Sequence, residues 1–251
     1  MPAIEDVLRF VQEVAPPELA EDWDNNGLLV RCTDAAERIL VTLDTTVAVV
    51  AEAQRLGCNL IVAPHPVIFS PLRSIGEADV AHALVRAGIS ARCSHPPLDA
   101  AEGGVNDVFA EALGLQEVRE LPPLGRIGVL PQAMAPEVFA VYCAKALKAP
   151  VQLANAGREV ATVALVGGAG KEFLADAVAV GVDCFVTGEA GHHTALDALA
   201  AGVSLVVAGH WATEHPIVPR LAKLLRERFD GTGVFESEED KDPYQGVFLV
   251  E

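Results

Sequence analysis

Short Val/Ile/Leu-rich runs alternate along this chain with Ala-rich segments of helical period, and no other feature restricts its fold as strongly. Apolar runs of about four to eight residues suit strands buried on both faces, and helices between them cover those faces. That is the sequence form of an α/β protein with largely parallel sheets. Ile4 to Val14 puts Val7, Leu8, Val11 and Val14 on one helical face, closed by Pro16-Pro17. Arg38 to Leu43 reads as a strand, Asp44-Thr45-Thr46 as the N-cap of a helix over Val47 to Leu56, and Gly57 as its C′ residue before the strand Leu60 to Ala63. The phrase recurs in the helix Asp79 to Ala87, Gly88 and the strand Ile89 to Cys93. Later strands are expected at Val160 to Val166, Cys184 to Val186 and Val203 to Ala208, and helices at Pro136 to Leu147, Glu172 to Val180, His193 to Ala201 and Ile217 to Phe229. Breakers concentrate at Pro122, Pro123, Gly125, Gly128 and Pro131, which places a domain junction near residue 123. The expected architecture is two related, interlocked α/β domains with mixed, largely parallel sheets, over residues 1–123 and 124–251. A final strand, Val247 to Val250, is free to return to the first domain, and Ser237 to Asp242 reads as a charged, solvated run.

The chain carries 18 Lys and Arg against 35 Asp and Glu, a net charge of −17. Such a surface repels a nucleic-acid backbone, so no nucleic-acid partner is expected. Uncharged apolar stretches such as Val203 to Ala208 fall far short of the roughly 18 residues that cross a bilayer, and the opening Met1 to Asp6 lacks a basic leader. A soluble, cytoplasmic chain without membrane partners is the expectation. Cys32, Cys58, Cys93, Cys143 and Cys184 are scattered without a C-x-x-C, which supports neither a disulfide framework nor thiolate ligands.

Histidines and acids fall immediately after expected strands, in Pro64-His65-Pro66, in His95-Pro96-Pro97-Leu98-Asp99 and in Gly209-His210-Trp211-Ala212-Thr213-Glu214. Ligands of open α/β sheets bind beyond the carboxyl ends of strands, and His with carboxylate is a donor set for Zn²⁺, Fe²⁺ or Mn²⁺. His210 and Glu214 are spaced i, i+4, yet Pro216 suits a first helical turn, so a helix is expected to begin near Glu214 with His210 on the strand exit. Gly167-Gly168-Ala169-Gly170-Lys171 lacks the spacing and following hydroxyl of a phosphate loop and reads as a tight strand-to-helix turn. Asp24-Asn25-Asn26-Gly27 reads as a turn whose polar density could support a pocket. His192-His193 could transfer protons or simply open a helix.

With these motifs in view, the chain resembles the Ngg-interacting-factor-three-like family, the hexameric dinuclear-metal-centre proteins often labelled GTP cyclohydrolase 1 type 2 homologues. The resemblance spans nearly the whole chain and rests on Trp23-Asp24-Asn25-Asn26-Gly27-Leu28, Pro64-His65-Pro66-Val67-Ile68-Phe69, His95 to Ala101 with Gly104-Val105-Asn106-Asp107, Thr187-Gly188-Glu189, and Gly209 to Glu214. It implies His65, Asp99, His210 and Glu214 as ligands of one or two divalent ions (Zn, Fe or Mn), with His95 or His192 moving protons. It also implies a homohexamer and a metal-dependent hydrolase of a small nucleotide-like molecule. Pro64 stands where the family's first histidine is expected, and Pro96-Pro97 where Thr-Asn is usual. Proline's side chain offers no lone pair, so four of five expected ligands remain, which motivates the alternative of a non-catalytic protein for metal storage, sensing or delivery.

Overall fold

The computed structural model describes residues 1–21 and 24–245, so the expected strand Val247 to Val250 and Trp23 lie outside the described residues. The described residues divide into two compact units, the first built from Met1–Gly104 and Ile217–Lys241, the second from Val105–Pro216 and residues 242–245. The boundary thus falls at Gly104/Val105 and not near residue 123. The breakers expected to separate domains instead form a hairpin turn inside the second unit, where Leu121 pairs with Gly125 across Pro122 and Pro123.

In chain order the first unit contributes α1 (Ile4–Val14), β1 (Gly27–Val30), β2 (Arg38–Val41), α2 (Val47–Leu56), β3 (Leu60–Ala63), α3 (Val80–Ala87), β4 (Ser90–Cys93) and the short α4 (Pro97–Ala100). The second supplies α5 (Val105–Ala112), β5 (Gln116–Leu121), β6 (Gly125–Met134), α6 (Pro136–Leu147), β7 (Gln152–Ala154), β8 (Val160–Val166), α7 (Leu174–Ala179), β9 (Cys184–Thr187), α8 (His192–Ala200), β10 (Ser204–Val207) and α9 (His210–Glu214). The chain then completes the first unit with α10 (Ile217–Arg228) and β11 (Gly233–Glu236). Among the described residues no helix is long and apolar enough to cross a membrane.

The first sheet runs β1-β4-β3-β2-β11, with only the β1–β4 pair antiparallel. Leu40, Ile61 and Ala91 alternate onto the face covered by Val49, Val50 and Ala53 of α2 and Leu84 of α3. Local sequence chemistry sets α2: the Thr46 hydroxyl accepts from Val49 N at 3.2 Å, and Gly57 closes the helix at φ +68°. The run after β11 keeps Glu238, Glu239 and Lys241 exposed as expected, but two of its polar side chains are buried and tie it down. Buried Ser237 donates to the buried Glu52 carboxylate at 2.5 Å, and buried Asp240 accepts from Leu43 N at 2.5 Å. Charged residues stay buried when such partners replace water.

The second sheet runs β5-β6-β8-β9-β10-β7, with β8, β9 and β10 mutually parallel. It is a three-layer sandwich: Leu165, Val186 and Val206 face the core around Phe109 and Phe139, while Ala164, Phe185 and Leu205 face Leu174, Ala177 and Ala198. Before β9, Asp183 ties that strand to β8, its Oδ2 accepting from Ala161 N at 3.1 Å, Thr162 N at 2.9 Å and Thr162 Oγ1 at 2.7 Å. Burial pushes this carboxyl up, but the Thr162 and Ala161 donors and Arg158 outweigh it and hold the pKa below its ordinary value. A depressed folded pKa gives stability that is fully present above the unfolded value of about 3.9 and lost as pH falls through the folded one. Asp183→Asn is therefore expected to lower the urea midpoint clearly at pH 7, by about 2 kcal/mol, with the gap to wild type narrowing at pH 3.

Candidate metal centre

Each unit gathers its chemistry at the carboxyl ends of three adjacent parallel strands, where ligands of open α/β sheets bind. In the first unit β2, β3 and β4 lie side by side, so Asp44, His65 and His95 emerge from one sheet end. His65 Nδ1 lies 2.8 Å from Asp44 Oδ1, and the His65 and His95 rings meet edge to face with centroids 5.8 Å apart. Because β1 is antiparallel to β4, with Gly27 opposite Cys93, the residues that precede β1 return to the same end. There the fully buried Asp24 carboxylate is bonded to His95 Nδ1. Asn25 Nδ2 donates to Ile68 O at 2.6 Å, so the polar turn expected at 24–27 is also what seats His95 and the loop after His65. Asp99 sits half-buried in α4, whose backbone begins with Asp99 N donating to Pro96 O at 2.8 Å.

In the second unit, loops after β8, β9 and β10 carry Gly167-Gly168, Gly188-Glu189 and Gly209-His210. His210 Nε2 lies 3.1 Å from Glu214 Oε2, and its Nδ1 lies 2.9 Å from Glu189 Oε1. This corrects one sequence expectation: His210 and Glu214 share the single-turn helix α9 instead of bracketing a loop. Gly209, at φ +88°, turns the chain off β10 at once, and Pro216 falls between α9 and α10. Proline therefore interrupts two helices here and does not begin the helix that contains Glu214.

Gly168 was legible only as a turn, yet it shapes the donor pair. At φ +60° an added Cβ would stand 2.0 Å from Glu214 Oε1 and 3.0 Å from His210 Nε2. Its position is held by Thr213 Oγ1, which accepts from Gly168 N at 3.0 Å, and by Asn106 Oδ1, which accepts from Gly167 N at 2.8 Å. Asn106 also donates to Leu124 O at 3.0 Å, and Asp107 grips the buried Arg126 guanidinium at 2.5 Å and 3.1 Å. The Gly-Val-Asn-Asp stretch thus serves as scaffold for the glycine loop.

Within the second unit His210 and Glu214 offer an imidazole nitrogen and a carboxylate oxygen of the kind that zinc, iron or manganese takes, and Gly168 leaves the space the carboxylate needs; in the first unit His65 offers a further imidazole. Cysteine takes no part. Burial pushes the Cys93 thiol up to about 11, which leaves it protonated at neutral pH. His192 is exposed at the start of α8, its ring edge to face with His193, and it lines a cavity of about 280 Å³ with Gln152 and Leu205.

The family model for Duf34/NIF3 (NGG1p interacting factor 3) matches residues 2–243. A Lactococcus lactis protein named GTP cyclohydrolase 1 type 2 homolog is 32% identical, the alignment covering 97% of this chain and 99% of that protein. Two solved structures share the fold over 98% of this chain and 99% of theirs. They are a Bacillus cereus protein related to NIF3, with TM-score 0.91 and 22% identity, and Staphylococcus aureus SA1388, with TM-score 0.90 and 26% identity.

Proposed function

We propose that this chain, which belongs to the Duf34/NIF3 (NGG1p interacting factor 3) family, is a cytoplasmic divalent-metal protein that hydrolyses a small nucleotide-like molecule. Its ligands are His65, Asp99, His210 and Glu214, and its assembly is the homohexamer that the resemblance implies. One observation carries the reading: three imidazoles are each bonded through Nδ1 to a carboxylate, His65 to Asp44, His95 to Asp24 and His210 to Glu189. A carboxylate on Nδ1 selects the tautomer whose Nε2 carries the lone pair, orients the ring and raises its basicity. Three such pairs at strand ends are hard to account for as ordinary loop histidines.

A bound divalent cation supplies Lewis acidity for hydrolysis. The chain's own residues do the remainder. Glu189 fixes the His210 ring, Gly168 leaves Glu214 its place beside that ring, and His95, anchored by buried Asp24, moves protons. His192 is the alternative proton carrier, from an exposed position.

Pro64 supports a second reading, in which the protein stores, senses or delivers metal without catalysis. With one imidazole fewer than the resemblance calls for, one ion per chain is expected. Calorimetric titration with Zn²⁺ is expected to show that stoichiometry, with His65→Ala and Glu214→Ala each weakening binding by about 10-fold or more. Pro64→His is expected to raise the count toward two. Absence of uptake by wild type removes both readings. Slow metal release with turnover of a nucleotide, cyclic-amide or phosphoester selects the hydrolase, and fast release to a chelator without turnover selects the carrier.

A further inference from the structure

We infer that the substrate of this site is an uncharged or cationic heterocycle, a free base or nucleoside in chemical class, and not a phosphorylated nucleotide. The inference deepens the proposed function, resting on it only in placing the reaction beside His210. The second unit holds a cavity of about 450 Å³ lined by His210 together with Gln152, Glu189, Asp242, Tyr244 and Gln245. That volume falls in the range of small-molecule sites.

The charge of the lining decides the class of occupant. Its acidic side chains are Glu189 and Asp242, and its described lining residues include no Lys or Arg. Phosphate recognition draws on charge-assisted donors, above all arginine and lysine. Here a phosphorylated ligand instead meets two carboxylates, inside a chain of net charge −17. The neutral polar groups fit a heterocycle. Gln152 and Gln245 each present a carboxamide with both donor and acceptor, complementary to a lactam or amidine edge. Tyr244, 83% exposed, keeps a ring face available for stacking. Asp242 is anchored in the lining, its Oδ1 accepting from Tyr244 N at 2.9 Å.

The test is calorimetric titration of the full chain, stripped with chelator and again after reloading with Zn²⁺, at fixed ionic strength. The probes are guanosine, cytidine, N-methylnicotinamide, GTP and CTP. At least one of the three unphosphorylated probes is expected to bind, and each nucleoside that binds is expected to do so at least about tenfold more tightly than its triphosphate in the stripped form, where no cation offsets Glu189 and Asp242. Asp242→Lys should narrow that gap about tenfold, and Gln245→Lys, which leaves the Asp242 turn intact, should move it the same way. Triphosphates binding the stripped form as tightly as nucleosides, no binding by any unphosphorylated probe, or a ratio unmoved by Gln245→Lys would overturn the inference. A chain that takes up no Zn²⁺ but keeps the preference for nucleosides refutes the metal reading and leaves this one standing.

Discussion

Gly168→Ala is expected to weaken Zn²⁺ binding by about 10- to 100-fold while the chain stays folded. Two costs act together at this position. The backbone stands at φ +60°, where a Cβ costs roughly 1–2 kcal/mol. That Cβ would also lie 2.0 Å from Glu214 Oε1, so the carboxylate must rotate away from its place beside His210. Calorimetry gives the affinity, and far-ultraviolet dichroism checks that the fold survives. Adding Glu214→Gln to Gly168→Ala should cost little more, because both changes act through the same carboxylate. Wild-type affinity in Gly168→Ala would mean that Glu214 does not hold the ion.

The second large effect concerns stability. Asp107→Ala is expected to destabilise the second unit by about 3 kcal/mol, because it strands a charge that is costly to bury alone. The Arg126 side chain is 5% exposed and is otherwise held by Leu124 O and Gly125 O, both at 3.0 Å. For a chain of this size the loss corresponds to a fall in Tm of roughly 10 °C, read by calorimetry or by a melt. Pairing Asp107→Ala with Arg126→Met should recover most of it, since an apolar side chain of similar reach has nothing left to neutralise. A loss below about 1 kcal/mol in the single variant would show that the other partners of the guanidinium suffice.

What could be read in the sequence was what is decided over a few residues. Thr46 and Gly57 bound α2 as expected because capping bonds span three or four positions. The strand runs at Leu60–Ala63 and Val160–Val166 emerged because their burial on both faces demands unbroken apolar character. The strand-end placement of His65, His95 and His210 followed from the same logic. What escaped depends on approach in space. Asp44, Asp24 and Glu189 lie 21, 71 and 21 residues from the histidines they hold, with no periodicity to announce them. The role of Gly168 is a void, defined only once Glu214 arrives beside it. The breakers near residue 123 were real, but proline and glycine mark a hairpin as readily as a domain boundary. In α9 the sequence signal was sound and its interpretation was not, since Pro216 stands directly before α10, and His210 and Glu214 share a separate turn of helix ahead of it.

The split build of the first unit has a consequence for how the protein is made. A ribosome that has emitted residues 1–104 must still translate 105–216 before α10 and β11 can emerge, a delay on the order of ten seconds. Throughout that interval the outer edge of β2, which β11 later covers in parallel register, has no native strand to pair with. A bare edge invites pairing with neighbouring nascent chains. Synthesis rate and polysome crowding are thus built into the yield of this molecule, and a circular permutant that begins at Ile217 would present β11 to β2 while both are newly made.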